Sequence, residues 1–275
     1  MILPDYHMHT PRCNHAEGSM SEYFDHALSV GLKEIGMSDH MPVMPEPAYC
    51  MGFDELSSYA DEFHTQEEIY RDRISIKFGC EMDIELDRVD DIRKILEDYQ
   101  FDYVIGSIHY LKGWPFDQEQ YTDTFSKEPM NDIYRRFFDA IIAGMETGLY
   151  DIVGHIDNIK CMGFRPDVSL LDDYERVAQA AKENDLTVEI NMSGIDKPVG
   201  EQYPAEEFLK ILRKYDVPLT SGSDSHKPYH VGRYYDLALE LIKKAGYTEI
   251  MYFTKRKRIP VELSAVGNSP VTDSI

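Results

Sequence analysis

Side chains of one chemical kind close a whole series of short apolar runs in this chain. His7 and His9 end the first run, ILPDYHMH, and His40 ends EIGMSDH at 34–40. Glu81 ends ISIKFGCE at 74–81, His109 ends DYVIGSIH at 102–109, and His155 falls in DIVGHID at 151–157. TVEINMS follows at 187–193, and VPLTSGSDSH at 217–226 carries Asp224 and His226. Helical patterns separate these runs. In the first, Ser19 and Glu22 form a capping box, and Met20, Tyr23, Phe24, Ala27 and Leu28 share one face before Gly31. Strands alternating with helices imply parallel strands joined by right-handed crossovers. Seven such strands, with an eighth-like run EIMYFTK at 249–255, suggest an α/β barrel rather than an open sheet.

The C-terminal ends of parallel barrel strands converge on one face, where loops build the site. Eight ligand-type residues are thereby aimed at one place, and His15 sits in the first loop above it. The i, i+2 spacing of His7 and His9 puts both rings on one strand face, where they can grip one ion. A lone histidine at a strand end is more often a hydrogen-bonded structural residue than a ligand. The coincidence at strand after strand is what points to a metal centre. His26 and His64 fall inside helices and read as surface or structural residues.

Imidazole and carboxylate without thiolate suit zinc, manganese or iron, whereas calcium or magnesium would favour oxygen alone. Seven histidines and two carboxylates exceed one tetrahedral shell, and they suffice for two or three ions if a carboxylate bridges. Glu81 is the natural bridge, having two oxygens to offer.

Composition narrows the surroundings. No apolar run approaches the roughly 18–20 residues needed to span a bilayer. MILPDYHMHT lacks the basic and long apolar regions of a signal peptide, so a soluble cytoplasmic protein is expected. The four cysteines form no C-x-x-C pair, which argues against a disulfide framework or a cysteine-rich zinc module. Cys13 reads as a bystander. With 28 basic and 50 acidic residues the formal charge is −22, a field that repels nucleic-acid backbones. KRKR at 255–258 reads as a solvated terminal strand. No composition shift marks a second domain, so 1–275 reads as one. The segment 110–130 reads as a long βα loop that could serve as a lid, and whether it closes over a substrate stays open, as does the oligomeric state.

The ordered set H-M-H with CNH, SDH, GCE, GSIHYLKGWPFD, GHID, EINMSG and GSDSH followed by HVG resembles the PHP (polymerase and histidinol phosphatase) family across nearly the whole chain. WPFD and EINMSG point toward its histidinol-phosphatase branch. The resemblance implies a distorted seven-stranded (β/α) barrel with three metals. By motif, His7, His9, Glu81 and Asp224 would hold one ion, and Glu81, His109 and His155 a second. His15, His40 and His226 would hold a third. Asp39, Asp157 and Asn191 are expected to orient these rings. Related histidinol-phosphatases carry arginines where this chain has Lys160 and Asp196 or Lys197. A lysine offers only a point charge in place of a bidentate clamp. Lys160, Lys197 and His230 are the expected substrate contacts.

The reaction so implied is hydrolysis of a phosphate monoester, L-histidinol phosphate in particular. A metal-bound water with its pKa lowered toward about 7 would attack phosphorus, and Asp224 or a nearby histidine would handle the leaving-group proton. Other readings stay open at this point. They are a PHP phosphoesterase acting on another small phosphate ester, an amidohydrolase-like enzyme, and a non-enzymatic metal-binding module. The amidohydrolase reading is set back by SIH, which stands where a bridging lysine would be expected.

Overall fold

The computed structural model describes residues 2–263, so residue 1 and residues 264–275 of the expected 1–275 domain lie outside the described residues. In chain order the elements are α1 (Met20–Ser29), β1 (Glu34–Met37), α2 (Leu56–Tyr70), β2 (Ser75–Asp83), α3 (Val89–Asp98), β3 (Tyr103–Ser107), β4 (Tyr110–Leu111) and β5 (Trp114–Pro115). Then come α4 (Met130–Met145), β6 (Ile152–Val153), α5 (Leu171–Glu183), β7 (Thr187–Asn191), α6 (Glu206–Lys214), β8 (Leu219–Gly222), α7 (Tyr235–Lys244), β9 (Glu249–Thr254) and β10 (Lys257–Glu262). Six strands form one parallel sheet in the order β1-β2-β3-β6-β7-β8. Helices follow the strands, as the alternating pattern predicts.

The helices form for the reasons their sequences suggest. In α1 the Ser19 amide donates to the Glu22 carboxylate at 2.7 Å, and Met20, Tyr23, Phe24 and Ala27 are buried along one stripe. β1, β3, β7 and β8 are buried at every position, as strands covered on both faces must be.

Two expectations need correction. The run ILPDYHMH is not a regular strand. Its residues divide their backbone bonds between both edges of the sheet. Asp5 N donates to Glu34 O (3.2 Å) and Tyr6 N to Ser221 O (3.2 Å), while Ser225 N donates to His7 O (3.1 Å). Side chains take further places in the ladder, for the Met8 amide donates to Ser38 Oγ and the Thr10 amide to Asp39. The result is two isolated parallel bridges, Asp5 to Ile35 and Met8 to Ser225. The run at 249–255 does not join the main sheet either. β9 pairs antiparallel with β10, and Met251 and Phe253 pack with Tyr6, Tyr103, Ile105 and Ile152. Basic residues of KRKR are tied down there, Arg256 to Asp151 and Arg258 to Asp185.

Tyr103 crosses this end of the sheet, donating to the carbonyls of Tyr6 (2.7 Å) and Met37 (3.1 Å). Only glycine lets it lie so low, because a Cβ at Gly79 would come within 2.1 Å of the ring. The segment 110–130 packs down as well. Phe116 and Phe125 are buried, and Phe116 meets Phe137 of α4 edge to face.

Candidate metal centre

Glu81, at the C-terminal half of β2, is the hub of the opposite end of the sheet. It is 1% exposed and five imidazoles approach it. Its Oε1 lies 3.2 Å from His7 Nε2, 3.1 Å from His155 Nε2 and 3.7 Å from His109 Nε2. Its Oε2 lies 2.8 Å from His40 Nδ1 and 3.6 Å from His9 Nε2. Asp224 adds its carboxylate 3.4 Å from His9 Nε2 and 3.7 Å from His7 Nε2. On the outer side His226 Nε2 stands 2.9 Å from His15 Nε2.

Several of these atoms are buried without a hydrogen-bond partner: His7 Nε2, both nitrogens of His9, His40 Nδ1, Glu81 Oε2 and His155 Nδ1. Buried polar atoms are normally satisfied, so a cluster of such donors facing one another is suited to hold a cation. Divalent ions fit this donor set. The ligand atoms of His15, His40 and His226 lie within 4.8 Å of one another, as do those of His7, His9 and Asp224, and those of His7, Glu81 and His155. Cys13 forms a similar group with His9 and His226, but burial, and after it Asp39, push its thiol up to about 12.

Electrostatics divides the rings into two kinds. Burial, then His40, lowers His15 to about 4, and burial also brings His226 down to about 3. Burial with His40 and His226 likewise keeps His9 well below its usual value. These rings are neutral at pH 7, the state in which imidazole ligates. Burial opposes charge on His7 too, yet Glu189, Glu81 and Asp224 together raise it well above its usual value. At His109, burial is outweighed by Asp83 and Glu81, which raise it to about 10. Glu81 and Asp224 stay ionised despite burial, each held well below the usual carboxylate range chiefly by His7.

Two orienting carboxylates escape a reading by strand ends. Glu189 Oε1 lies 2.8 Å from His7 Nδ1, and its Oε2 accepts from the His155 amide and from Asn191 Nδ2. Asp83 Oδ1 lies 3.2 Å from His109 Nδ1. Each sits two residues from an expected site residue on the same strand, Glu189 from Asn191 and Asp83 from Glu81, so period-2 alternation was the available signal. Gly222 makes the first contact possible, since a Cβ there would fall 1.9 Å from Glu189 Oε1.

The other expected residues separate. Asn191 touches the centre, donating to Asp224 at 3.4 Å. Asp39 and Asp157 orient no ring. Asp39 accepts from Thr10 N and Oγ1, and Asp157 accepts from the Ala205 amide and from Lys160. Both hold neighbouring loops in place instead. Lys160 does not reach the cavity over the centre. Its buried ammonium contacts Asp157 (2.7 Å), Glu201 (2.6 Å) and Gln202 O (2.9 Å), which leaves no donor over for a substrate. Lys197 and His230 do line that cavity, a space of about 400 Å³ that also carries Asp117, Asp196, Lys227 and Arg233. Arg233 was not among the expected contacts. It donates to Asp196 (2.8 Å) and to the carbonyls of Ser223 and Asp224, clamping two rim loops together. No helix among the described residues is long and apolar enough to cross a membrane.

Comparison with known proteins agrees with this architecture. The PHP domain family matches residues 5–193, and the PHP-associated family matches residues 206–240. A probable histidinol-phosphatase of Deinococcus radiodurans is 33% identical over 94% of this chain and 99% of its own length. The histidinol-phosphatase of Lactococcus lactis is 27% identical over 92% of this chain and 95% of its own. A crystal structure of histidinol phosphate phosphatase from Lactococcus lactis, complexed with zinc, L-histidinol and phosphate, superposes with a TM-score of 0.81. It has 24% identity and covers 94% of this chain and 98% of that one. A curled parallel sheet with a nest of histidines about Glu81 and a matching family signature over most of its length together make this chain a member of the PHP family.

Proposed function

We propose that this protein is a metal-dependent histidinol-phosphatase, hydrolysing L-histidinol phosphate to L-histidinol and phosphate. The observation that carries the reading is the ring of five histidines around Glu81 at the floor of a cavity, in a chain aligned nearly end to end with histidinol-phosphatases.

Two or three ions of zinc, manganese or iron would be held by His7, His9, His15, His40, Glu81, His109, His155, Asp224 and His226, with residues 5–9 counted as the seventh stave of a distorted barrel. Bound there, such ions offset charge on the phosphate oxygens and lower the pKa of the attacking water. The chain supplies the rest. Glu189 and Asp83 fix the orientation and tautomer of His7 and His109, leaving each Nε2 free to ligate. Asp224, kept ionised, would serve this set as a ligand and is not suited to deliver a proton to the leaving oxygen. Lys197 and His230 on the cavity wall are the substrate contacts, Lys197 with a point charge for phosphate. The substrate is a small phosphorylated molecule, and the enzyme works in the cytoplasm, in keeping with four free cysteines.

The test is a substrate panel on protein loaded with zinc or manganese, read together with metal content. Histidinol phosphate should be hydrolysed faster than sugar phosphates and nucleotides. Equal slow rates on all of them would reduce the assignment to a phosphatase of another small ester. Bound metal with no hydrolysis of any ester would overturn it.

A further inference from the structure

The two carbonyls that flank the Cα of Asp224 take hydrogen bonds from one side chain. Arg233 Nε donates to Ser223 O at 3.0 Å, and a terminal nitrogen of the same guanidinium donates to Asp224 O at 3.3 Å. Asp224 itself has a φ of +53°, in the left-handed region. A residue with a side chain is uncommon there and stays only where its surroundings hold it. Nearby backbone is fixed by other means, Ser223 N donating to Asp5 Oδ1 (2.9 Å) and Ser225 N to His7 O (3.1 Å). Neither bond holds the peptide between Ser223 and Asp224, which is the one that Arg233 Nε grips.

Arg233 is anchored through the same buried carboxylate. Gly232 N donates to Asp5 Oδ2 at 2.8 Å, so Asp5 ties the backbone beside the arginine to the segment the arginine holds. Gly232 and Tyr234 on either side of it are both left-handed, with φ of +69° and +58°. The gripped backbone serves two members of the histidine cluster. Asp224 Oδ1 lies 3.4 Å from His9 Nε2 and 3.7 Å from His7 Nε2, and Asp224 O lies 3.2 Å from His226 Nδ1. A carbonyl only accepts, so His226 Nδ1 carries the proton and Nε2 is left to ligate.

We propose that Arg233 is a positioning residue of the metal centre, its planar fork holding the backbone on both sides of Asp224 in the left-handed turn that aims this carboxylate at His7 and His9. This rests on the reading of the histidine cluster as a metal centre. Relaxed to an ordinary negative φ, Asp224 would swing its Cα–Cβ bond away from both rings. Two parallel donors on two successive carbonyls are what a guanidinium offers and an ammonium does not.

The experiment titrates metal-free protein with zinc and with cobalt(II) against a chelating indicator, and records the visible spectrum of the cobalt form at saturation. Arg233→Met should bind both ions about 10- to 100-fold more weakly, the range for losing a group that orients ligands. Its cobalt spectrum should change as Asp224 turns away, a signature that lost stability alone does not produce in folded, saturated protein. Arg233→Lys keeps the charge without the fork and should recover only part of the affinity, and it keeps the test open if the Met variant folds poorly. Asp196→Ala breaks the clasp to the neighbouring rim loop, leaves both carbonyl contacts, and should bind as the unaltered protein does. Unchanged affinity and spectrum in Arg233→Met overturn the proposal. Full recovery in Arg233→Lys also overturns it, by reducing the arginine to a charge, as does an equal loss in Asp196→Ala. If the unaltered protein binds neither ion, the metal reading fails and the proposal with it, whereas metal bound equally by all variants removes the proposal alone.

Discussion

Glu189 holds His7 from behind, its Oε1 2.8 Å from Nδ1, so that Nε2 faces the interior of the centre with no hydrogen-bond partner. The contact joins β7 to the segment beside β1, and both residues are buried. Carboxylates behind ligating histidines fix tautomer and ring plane and raise ligand basicity. Glu189→Gln should therefore weaken metal binding about 10- to 100-fold. Titration of the metal-free protein against a chelating indicator reads this directly, and unchanged affinity would remove Glu189 from the centre.

Gly222→Ala tests the same contact without touching either partner. The new methyl would collide with Glu189 Oε1 and with the His7 Cβ, 2.6 Å away. Metal affinity should fall at least as far as in Glu189→Gln. The melting temperature of the metal-free protein should fall too, since overpacking a buried site costs about 1–3 kcal/mol.

His15 reaches the centre from a loop, its Nδ1 2.6 Å from Cys13 O and its Nε2 beside His226. His15→Ala should cost occupancy at one site, read by elemental analysis, while the circular dichroism of the metal-free protein stays unchanged, since the ring's hydrogen-bonding contacts are to the Cys13 carbonyl and to His226 of the centre. Undiminished metal content would show that the third group of histidines binds nothing.

Lys160→Met should destabilise the fold by about 3 kcal/mol, because it takes the ammonium from the buried Asp157 carboxylate while Arg165 stays bound to Glu201. Urea unfolding measures the loss. The KM of the residual folded enzyme should stay close to its original value, the opposite of what a phosphate contact would give.

Glu85 supplies a pH dependence of its own. Burial, with Asp83 and Asp87 adding to it, raises its carboxyl to about 7. Between its unfolded pKa of about 4.3 and 7 the native state binds more protons than the unfolded one, so stability contributed at this site falls as pH rises. Glu85→Gln should consequently raise the melting temperature at pH 8 and bring no gain at pH 4. A gain of equal size at both would point to packing rather than ionisation.

The sequence revealed the centre more fully than it revealed the scaffold's closure. His7, His9, His40, Glu81, His109, His155, Asp224 and His226 were legible because strand periodicity and the convergence of parallel strand ends are strong regularities. Glu189 and Asp83 were hidden only by attention to strand ends, since each repeats the face of a neighbour two residues away. Lys160 misled for a different reason. Loop lysines are usually exposed, and nothing in HIDNIK announces that Asp157 and Glu201 will surround this one. The irregular pairing of residues 5–9 was equally unreadable, because alternate bonds to two separate edges leave the same apolar pattern as an ordinary strand.

That seam has a kinetic meaning. The backbone of residues 4–8 is bonded to residues 221–225, as in the Ser221 hydroxyl that donates to Pro4 O across 217 positions of sequence. At synthesis rates of about 5–20 residues per second, His7 and His9 wait on the order of 10–40 seconds before the neighbours that shape them exist. Through that interval they are unshielded imidazoles, open to any ion the cell offers, and the correct ions have a place only after the two distant stretches meet. The full ligand set accordingly exists only once residues 221–226 have joined residues 4–9, and an ion captured early has to be released or carried into position as the seam closes.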